Sequence, residues 1–168
     1  MKKFVWDTSA LINLKEPNAH GYSPASSLMK DIIDGWMPGP YFNIFPALAI
    51  FEVNATISKI ERKGGRMLRE FWLLDEHAFV YPIDHDLVSK TNDLVEREGF
   101  SLLKGADLVF ACIAHLEDAY LVTKDGDFDK VKSHLRVIDL RLSLHEPAYR
   151  EQLGMTLDSD EYVPDSPS

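Results

Sequence analysis

The chain has 168 residues, 45% of them hydrophobic and 27% charged, which is the balance of one soluble globular domain with a short tail. A single cysteine excludes an internal disulfide bond, and no apolar run approaches the roughly 20 residues that cross a bilayer, so we expect a cytoplasmic protein without membrane contact. The net charge of −9 argues against tight non-specific binding to nucleic acid, although residues 151–168 alone carry five acids and no lysine or arginine.

Apolar runs alternate with helical patterns along the chain. In chain order the pattern predicts strand Lys3–Trp6, helix Thr8–Leu14, a helix that ends at Trp36, strand Asn43–Pro46, helix Ala47–Arg62, helix Arg66–Glu76 and strand Ala78–Pro82. It then predicts helix Asp84–Arg97 with Asp84 as N-cap, helix Ala106–Glu117, strand Tyr120–Thr123, helix Phe128–His134 and strand Val137–Asp139. This alternation indicates an α/β fold, a three-layer α/β/α sandwich around a central, mostly parallel sheet.

The chain divides into a folded part and a tail. All the predicted strands and helices lie within residues 1–150, whereas residues 151–168 are polar and acidic and end in proline and serine residues. We therefore expect one domain over residues 1–150 and a disordered acidic tail over residues 151–168. Within the domain, helix Ala106–Glu117 is apolar almost all round, so we expect it to be central and buried.

Four acidic residues stand in or beside apolar segments. Asp7 follows the first strand, Glu52 interrupts an apolar helical run, Asp107 opens an apolar helix and Asp125 follows the strand Tyr120–Thr123. A buried carboxylate without a partner is costly, so each needs a cation, a hydrogen-bond donor or access to water. Sites in parallel sheets form at the carboxyl ends of strands, so we expect these acids to converge there. Oxygen ligands of this kind suit hard divalent cations such as Mg²⁺.

Taken alone, three of the acids also have a purely structural interpretation. Asp7 can cap the helix that follows it, Asp107 can favour the dipole of a first helical turn, and Asp125 lies in the turn-forming sequence Lys-Asp-Gly-Asp. Glu52 fits no capping role, and Lys59 is too far along the helix for an i,i+4 ion pair with it. The convergence of the set, rather than any single acid, therefore indicates a site.

Four segments resemble the motifs of the PIN domain family. They are Val5–Leu11 (V-W-D-T-S-A-L), Phe51–Val53 (F-E-V), Gly105–Leu108 (G-A-D-L) and Leu121–Phe128 (L-V-T-K-D-G-D-F). The motifs occur in the family's order and cover roughly residues 1–140, and the most similar subgroup is the VapC-type toxins of toxin–antitoxin pairs. The chain departs from compact VapC-like toxins in its greater length and its acidic tail, which bear on a toxin role more than on the chemistry.

The resemblance implies a ribonuclease that depends on Mg²⁺ or Mn²⁺ and hydrolyses RNA phosphodiester bonds, with residues 1–150 as its nuclease domain. It also implies a homodimer and, for a toxin, a cognate antitoxin protein as partner. By position, the catalytic and metal-binding set is Asp7, Glu52, Asp107 and Asp125, the polar supports are Ser9 and Thr123, and an additional outer acid is Asp127.

A mechanism follows from these residues as a hypothesis. One ion would lower the pKa of the attacking water, and a second, about 4 Å away, would stabilise the leaving oxygen. Asp7 and Asp107 are the candidates for direct ligands. Glu52 and Asp125 could bind directly, position the water or act as base.

A cluster of basic residues follows Glu52 and is a candidate surface for RNA phosphates. Its members are Lys59, Arg62, Lys63 and Arg66. Phosphate contacts require cations of this kind, but the same pattern also describes a solvated helix face.

Two other classes of function remain open on the same fold. The chain could be a nuclease for RNA processing or quality control, or a non-catalytic module that binds RNA or protein. A phosphatase of the haloacid-dehalogenase type would need a second aspartate two residues after Asp7, and the chain has Ser9 there.

Overall fold

The structure, a computed structural model, describes residues 1–15, 23–33, 40–64, 77–142 and 147–153. The strands in these ranges are Lys2–Trp6 (β1), Tyr41–Pro46 (β2), Ala78–Tyr81 (β3), Tyr120–Thr123 (β4) and Arg136–Asp139 (β5). The α-helices are Thr8–Lys15 (α1), Pro24–Ile33 (α2), Ala47–Arg62 (α3), His85–Thr91 (α4), Gly105–Leu116 (α5) and Pro147–Gln152 (α6). Among these described helices, none is long and apolar enough to cross a membrane.

The five strands form one parallel sheet in the order β3-β2-β1-β4-β5. The central strand is β1, in which Val5 pairs with Ile44 of β2 on one side and with Leu121 of β4 on the other. After β1 the chain continues to β2, and after β4 it continues to β5, so the connections diverge between β1 and β4. A divergence of this kind opens a crevice at the carboxyl ends of the two strands.

Helices on both faces of this sheet complete the predicted three-layer α/β/α arrangement. One group is formed by α1, which contacts α2 and α3, and the other by α5, which contacts α4, β1 and β4. The central strands are apolar because both of their faces are covered: Phe4, Val5 and Trp6 in β1 and Leu121 and Val122 in β4 have no exposed surface. Each such side chain contributes about 2 kcal/mol through burial.

The predicted strands agree with the structure to within two residues at each end, but helix α4 is shorter than predicted. Its N-cap is confirmed, because Asp84 Oδ1 accepts a hydrogen bond from the N–H of Leu87 at 3.0 Å. The helix ends at Thr91 rather than Arg97. The Thr91 hydroxyl donates to the Leu87 carbonyl at 2.9 Å, and Asn92 follows. Threonine and asparagine side chains compete with the helical backbone for hydrogen bonds, which explains the early end.

Helix α5 was expected to be central and buried, and it is buried over only part of its length. Residues 110–114 are buried, but residues 106–109 are only half-buried. Ala106 and Asp107 in the first turn border an open cavity at the edge of the sheet, which accounts for the exposure of these two residues.

Two further predicted helices differ from the structure or fall outside it. The short helix predicted at Phe128–His134 is a 3₁₀ helix over Gly126–Val131. It begins two residues earlier because Asp125 caps it, with Asp125 Oδ1 accepting from the N–H of Asp127 at 2.9 Å. The predicted helix Arg66–Glu76 and the end of a helix at Trp36 lie outside the described residues.

Helix α6 extends the packed structure beyond the sequence-based estimate. It packs against β5, and Gln152 Oε1 accepts a hydrogen bond from the N–H of Asp139 at 3.0 Å. Leu153, which follows the helix, is fully buried. The boundary expected after residue 150 falls inside α6, and we propose that the domain ends no earlier than Leu153.

Candidate active site

Asp7 lies at the carboxyl end of β1, in the crevice between β1 and β4, and is 2% exposed. Its carboxylate accepts hydrogen bonds from the hydroxyls of Thr123 (2.5 Å) and Ser9 (2.9 Å). The N–H of Ala10 donates a third bond at 2.7 Å. These donors hold the carboxylate between the end of β4 and the first turn of α1.

The charge of Asp7 is not fully compensated by these donors. Burial raises the pKa of Asp7 to about 6, although the hydrogen bonds from Thr123, Ala10 and Ser9 act in the opposite direction, and the negative charge of Asp107 adds to the rise. Burial of the charged form remains unfavourable with three donors in place. A nearby cation would relieve it.

The hydroxyls of Ser9 and Thr123 also shape the loop after β4. Ser9 Oγ accepts from the N–H of Lys124 at 2.8 Å, and Thr123 Oγ1 accepts from the N–H of Asp125 at 2.8 Å. Ser9 and Thr123, which were predicted to support the site, thus donate hydrogen bonds to Asp7 and accept hydrogen bonds from the backbone of the loop. They place Asp125 relative to Asp7.

Glu52 lies in the second turn of α3, half-buried, and is held by a residue that sequence reasoning missed. The hydroxyl of Thr8 donates a hydrogen bond to Glu52 Oε2. The only sequence signal for this role of Thr8 is its position: it has a hydroxyl group, begins a helix and directly follows the candidate ligand Asp7. Its partner is 44 residues away in the chain.

Asp107 is the acid whose carboxylate has the fewest stabilising interactions among the described residues. Burial raises the pKa of Asp107, and the charges of Asp125, Asp127 and Glu52 raise it further, so acids from two other segments act on it. In the part of the chain that the structure describes, its carboxylate forms no hydrogen bond or ion pair. Such a group favours either a proton or a metal ion.

One cavity of about 400 Å³ brings the four candidate acids together. The described residues that line it are Asp7, Thr8, Ser9, Ile12, Glu52, Lys104, Ala106, Asp107, Phe110 and Asp125. The outer acid Asp127 does not line this cavity, and it pairs with Lys130 at 2.8 Å on the surface.

Carboxylate oxygens around an open cavity are the donors that Mg²⁺ and Mn²⁺ bind. Within the described ranges, no three acidic, histidine or cysteine side chains already form a group that could hold a metal ion. The donors nevertheless fit such an ion, because Asp7 and Asp107 have raised pKa values and the Asp107 carboxylate is unpaired among the described residues.

The predicted RNA-contact cluster lies away from this cavity. Lys59, Arg62 and Lys63 are exposed at the C-terminal end of α3, and none of them lines the cavity. Arg66, the fourth member, lies outside the described residues.

A second cavity, of about 500 Å³, lies at the amino ends of β4 and β5. Its lining includes His115, Lys132 and Arg136. Lys132 pairs with Asp129 at 2.7 Å, and Arg136 pairs with Asp118 at 2.7 Å. Its cations are already paired with acids, and it holds none of the four candidate carboxylates.

Comparison with known proteins connects this geometry with a family. A family model described as a PIN domain matches residues 4–133, which include all four acids of the cavity. A solved structure, that of VapC20 from Mycobacterium tuberculosis, described as a toxin that cleaves the sarcin-ricin loop, is similar with a TM-score of 0.48 and 17% identity. The similarity covers 75% of this chain and 92% of that chain. A search of curated proteins found no match.

Proposed function

Because the chain belongs to the PIN domain family, we propose that it is a ribonuclease that hydrolyses RNA phosphodiester bonds with Mg²⁺ or Mn²⁺ as cofactor. One observation carries the proposal: Asp7, Glu52, Asp107 and Asp125, which come from four separate segments, line a single cavity. A structural role would explain each acid separately, but it would not explain their convergence on an open space.

In this proposal the four carboxylates hold the cation. Asp7 and Asp107 are the direct ligands, because burial and the negative charge of neighbouring acids leave both in need of positive charge. Glu52 and Asp125 complete the site from α3 and from the loop after β4. When bound, the cation would neutralise the phosphate and lower the pKa of the attacking water.

The hydroxyl residues orient these carboxylates. Ser9 and Thr123 fix Asp7, and Thr8 fixes Glu52. Orientation matters because a ligand or base that is misplaced by about 1 Å can lower the rate by two orders of magnitude. Because these hydrogen bonds are already formed, the carboxylates do not need to rearrange when substrate binds.

Cleavage of labelled RNA tests the proposal. Structured and unstructured RNAs are incubated with the wild-type chain in Mg²⁺, in Mn²⁺ and in EDTA, beside Asp7→Asn and Asp107→Asn. Asp93→Asn is the matched control, because Asp93 is exposed and does not line the cavity. We expect cleavage by the wild type and the control, loss in EDTA, and a drop of at least about a hundredfold in the two cavity variants. Unchanged cleavage by folded Asp7→Asn would refute the mechanism.

The biological role is a further proposal that rests on the resemblance of the four motifs to VapC-type toxins. We propose a cytoplasmic homodimer that acts as the toxin of a VapBC-type pair and is inhibited by a cognate antitoxin. Expression should then arrest growth, a small antitoxin-like protein should be encoded next to it, and co-expression of that protein should restore growth. Cleavage in vitro without growth arrest would favour an RNA-processing nuclease, and a folded chain that binds RNA without cleaving it would favour a non-catalytic module.

A further inference from the structure

Lys104 occupies a position in the cavity that the four acids leave unexplained. It directly precedes α5, it is exposed, and it lines the same cavity as Asp7, Glu52, Asp107 and Asp125. Its carbonyl accepts a hydrogen bond from the N–H of Asp107 at 3.2 Å, so its backbone is fixed beside that acid. Among the described residues that line the cavity, it is the one cation.

The ammonium group of Lys104 is not paired with any of the four described acids that line the cavity. Within the described residues it forms no ion pair or hydrogen bond, whereas Lys130 and Lys132 nearby pair with Asp127 and Asp129. A lysine that served to neutralise the cavity would form such a pair. The side chain is therefore available to a negatively charged group that enters the cavity from solvent.

The start of α5 leaves room for that group. Gly105 adopts φ +54°, a left-handed conformation that most residues avoid, and a Cβ added there would meet no atom within 4 Å. The chain thus turns at Gly105 beside open space. On either side of Gly105, Lys104 and Ala106 line the cavity that holds the acids.

We propose that Lys104 binds a phosphate of the RNA substrate at the mouth of the carboxylate cavity. The inference rests on the proposed ribonuclease function and names a substrate-binding residue for it. The carboxylates repel the RNA backbone, and a flexible ammonium group acts as a point charge that attracts phosphate. Lys104 supplies that attraction at the place where the acids would otherwise oppose binding.

Lys59 and Arg62, the members of the basic cluster that lie on α3, cannot hold the same phosphate. Lys59 lies seven residues beyond Glu52 on α3, and Arg62 lies ten, so their backbones are about 10 Å and about 15 Å farther along the helix axis. The helix leads away from the carboxyl edge of the sheet, where the cavity lies. Contacts from this cluster would reach phosphates at a distance from the cleavage site.

Binding and kinetics of Lys104→Gln test the inference. Affinity for a fluorescent single-stranded RNA is measured by anisotropy over a range of salt in the Asp107→Asn background, and KM and kcat are measured in the otherwise wild-type chain. We expect KM and Kd to rise about tenfold and the salt slope of log Kd to fall by about 0.7, the value for one phosphate contact on a single strand. Lys104→Arg should retain most of the affinity, because it keeps the charge.

Two further variants identify the outcome. Lys90→Gln removes an exposed lysine on α4 that does not line the cavity, and it should leave Kd and the slope unchanged. An unchanged Kd and slope for Lys104→Gln in a chain that cleaves RNA would overturn the role of Lys104 alone. A larger effect of Arg62→Gln than of Lys104→Gln would likewise overturn it and assign the contact to α3. A wild-type chain that neither binds nor cleaves RNA would overturn both proposals.

Discussion

At the scale of single residues, the buried carboxylate of Asp7 makes a prediction about stability. Its pKa of about 6 lies above the ordinary value of 3.8, so between these values the folded chain holds a proton that the unfolded chain has lost. Raising the pH then favours unfolding. In EDTA, the free energy of unfolding of the wild-type chain should fall between pH 4 and pH 7. Compared with Asp7→Asn over the same range, the additional fall should be on the order of 3 kcal/mol. Urea unfolding followed by tryptophan fluorescence measures it, and parallel pH profiles for the two chains would contradict it.

Thr8 carries a second prediction at this scale. Thr8→Val removes the hydroxyl that binds Glu52 while keeping the shape of the side chain. We expect kcat for RNA cleavage to fall about tenfold with little change in KM, because a loosely held carboxylate is correctly placed less often. Thr8→Ser keeps the hydroxyl and should restore most of the rate. Equal rates for the valine and serine variants would show that Glu52 does not need this bond.

The four carboxylates of the site could be identified from sequence, whereas Thr8 and Lys104 could not. Asp7, Glu52, Asp107 and Asp125 stood out because carboxylates beside apolar segments need an explanation within the sequence itself. Thr8 did not stand out, since its role depends on α3 being packed against α1. Threonine and lysine are ordinary residues at helix starts, and only a three-dimensional partner or cavity distinguishes them.

At the scale of elements, sequence periodicity located the strands because parallel strands that are covered on both faces are continuous apolar runs. The α3 bounds were also predicted, from Ala47 to Arg62. The end of α4 was not, because the hydrogen bond from the Thr91 hydroxyl to the Leu87 carbonyl leaves the apolar pattern of the sequence uninterrupted. Helix α6 was missed because its burial depends on a distant strand, β5, rather than on periodicity in six residues.

The loop that carries Asp125 depends on a charged network, and this gives a prediction for an element. Arg141 donates to Asp139 at 2.8 and 2.5 Å and to Asp129 at 2.9 Å. Its guanidinium lies 2.4 Å from where a Cβ of Gly126 would be, so it packs directly under the loop. Arg141→Gln should lower the free energy of unfolding by about 2 kcal/mol, because buried Asp139 loses its main donor. The exposure of Arg141 to solvent limits the effect.

The same substitution should also reduce cleavage, since Asp125 directly precedes Gly126. Chemical denaturation and initial rates on the same preparations separate the two effects. Lys90→Gln, which breaks an exposed i,i+4 pair with Asp86, is a control for loss of a surface ion pair and should change stability by less than about 1 kcal/mol. If Arg141→Gln behaves like this control, the network does not support the loop.

At the scale of the whole molecule, the acidic net charge and the proposed nuclease activity are compatible because the charge is unevenly distributed. Five of the 27 acids lie in residues 151–168, and four more line the cavity, where a metal ion would offset them. Such a chain gains little from non-specific attraction to nucleic acid. Its affinity must come from particular contacts, such as a bound cation and Lys104, and we expect the enzyme to act on restricted RNA sequences or shapes.

The extent of the domain gives the last prediction. Leu153 is fully buried after α6, and Gln152 binds the backbone of β5 at 3.0 Å. Ending the chain after residue 146 should therefore lower the free energy of unfolding by about 3 kcal/mol or more, from lost apolar burial and a lost hydrogen bond. Leu153→Ala in the full chain should cost about 2–5 kcal/mol by leaving a cavity.

Ending the chain after residue 153 should cost little, because we propose that the domain is complete there. An equal loss from that shorter truncation would extend the domain into the acidic tail, and no loss from Leu153→Ala would exclude α6 from it.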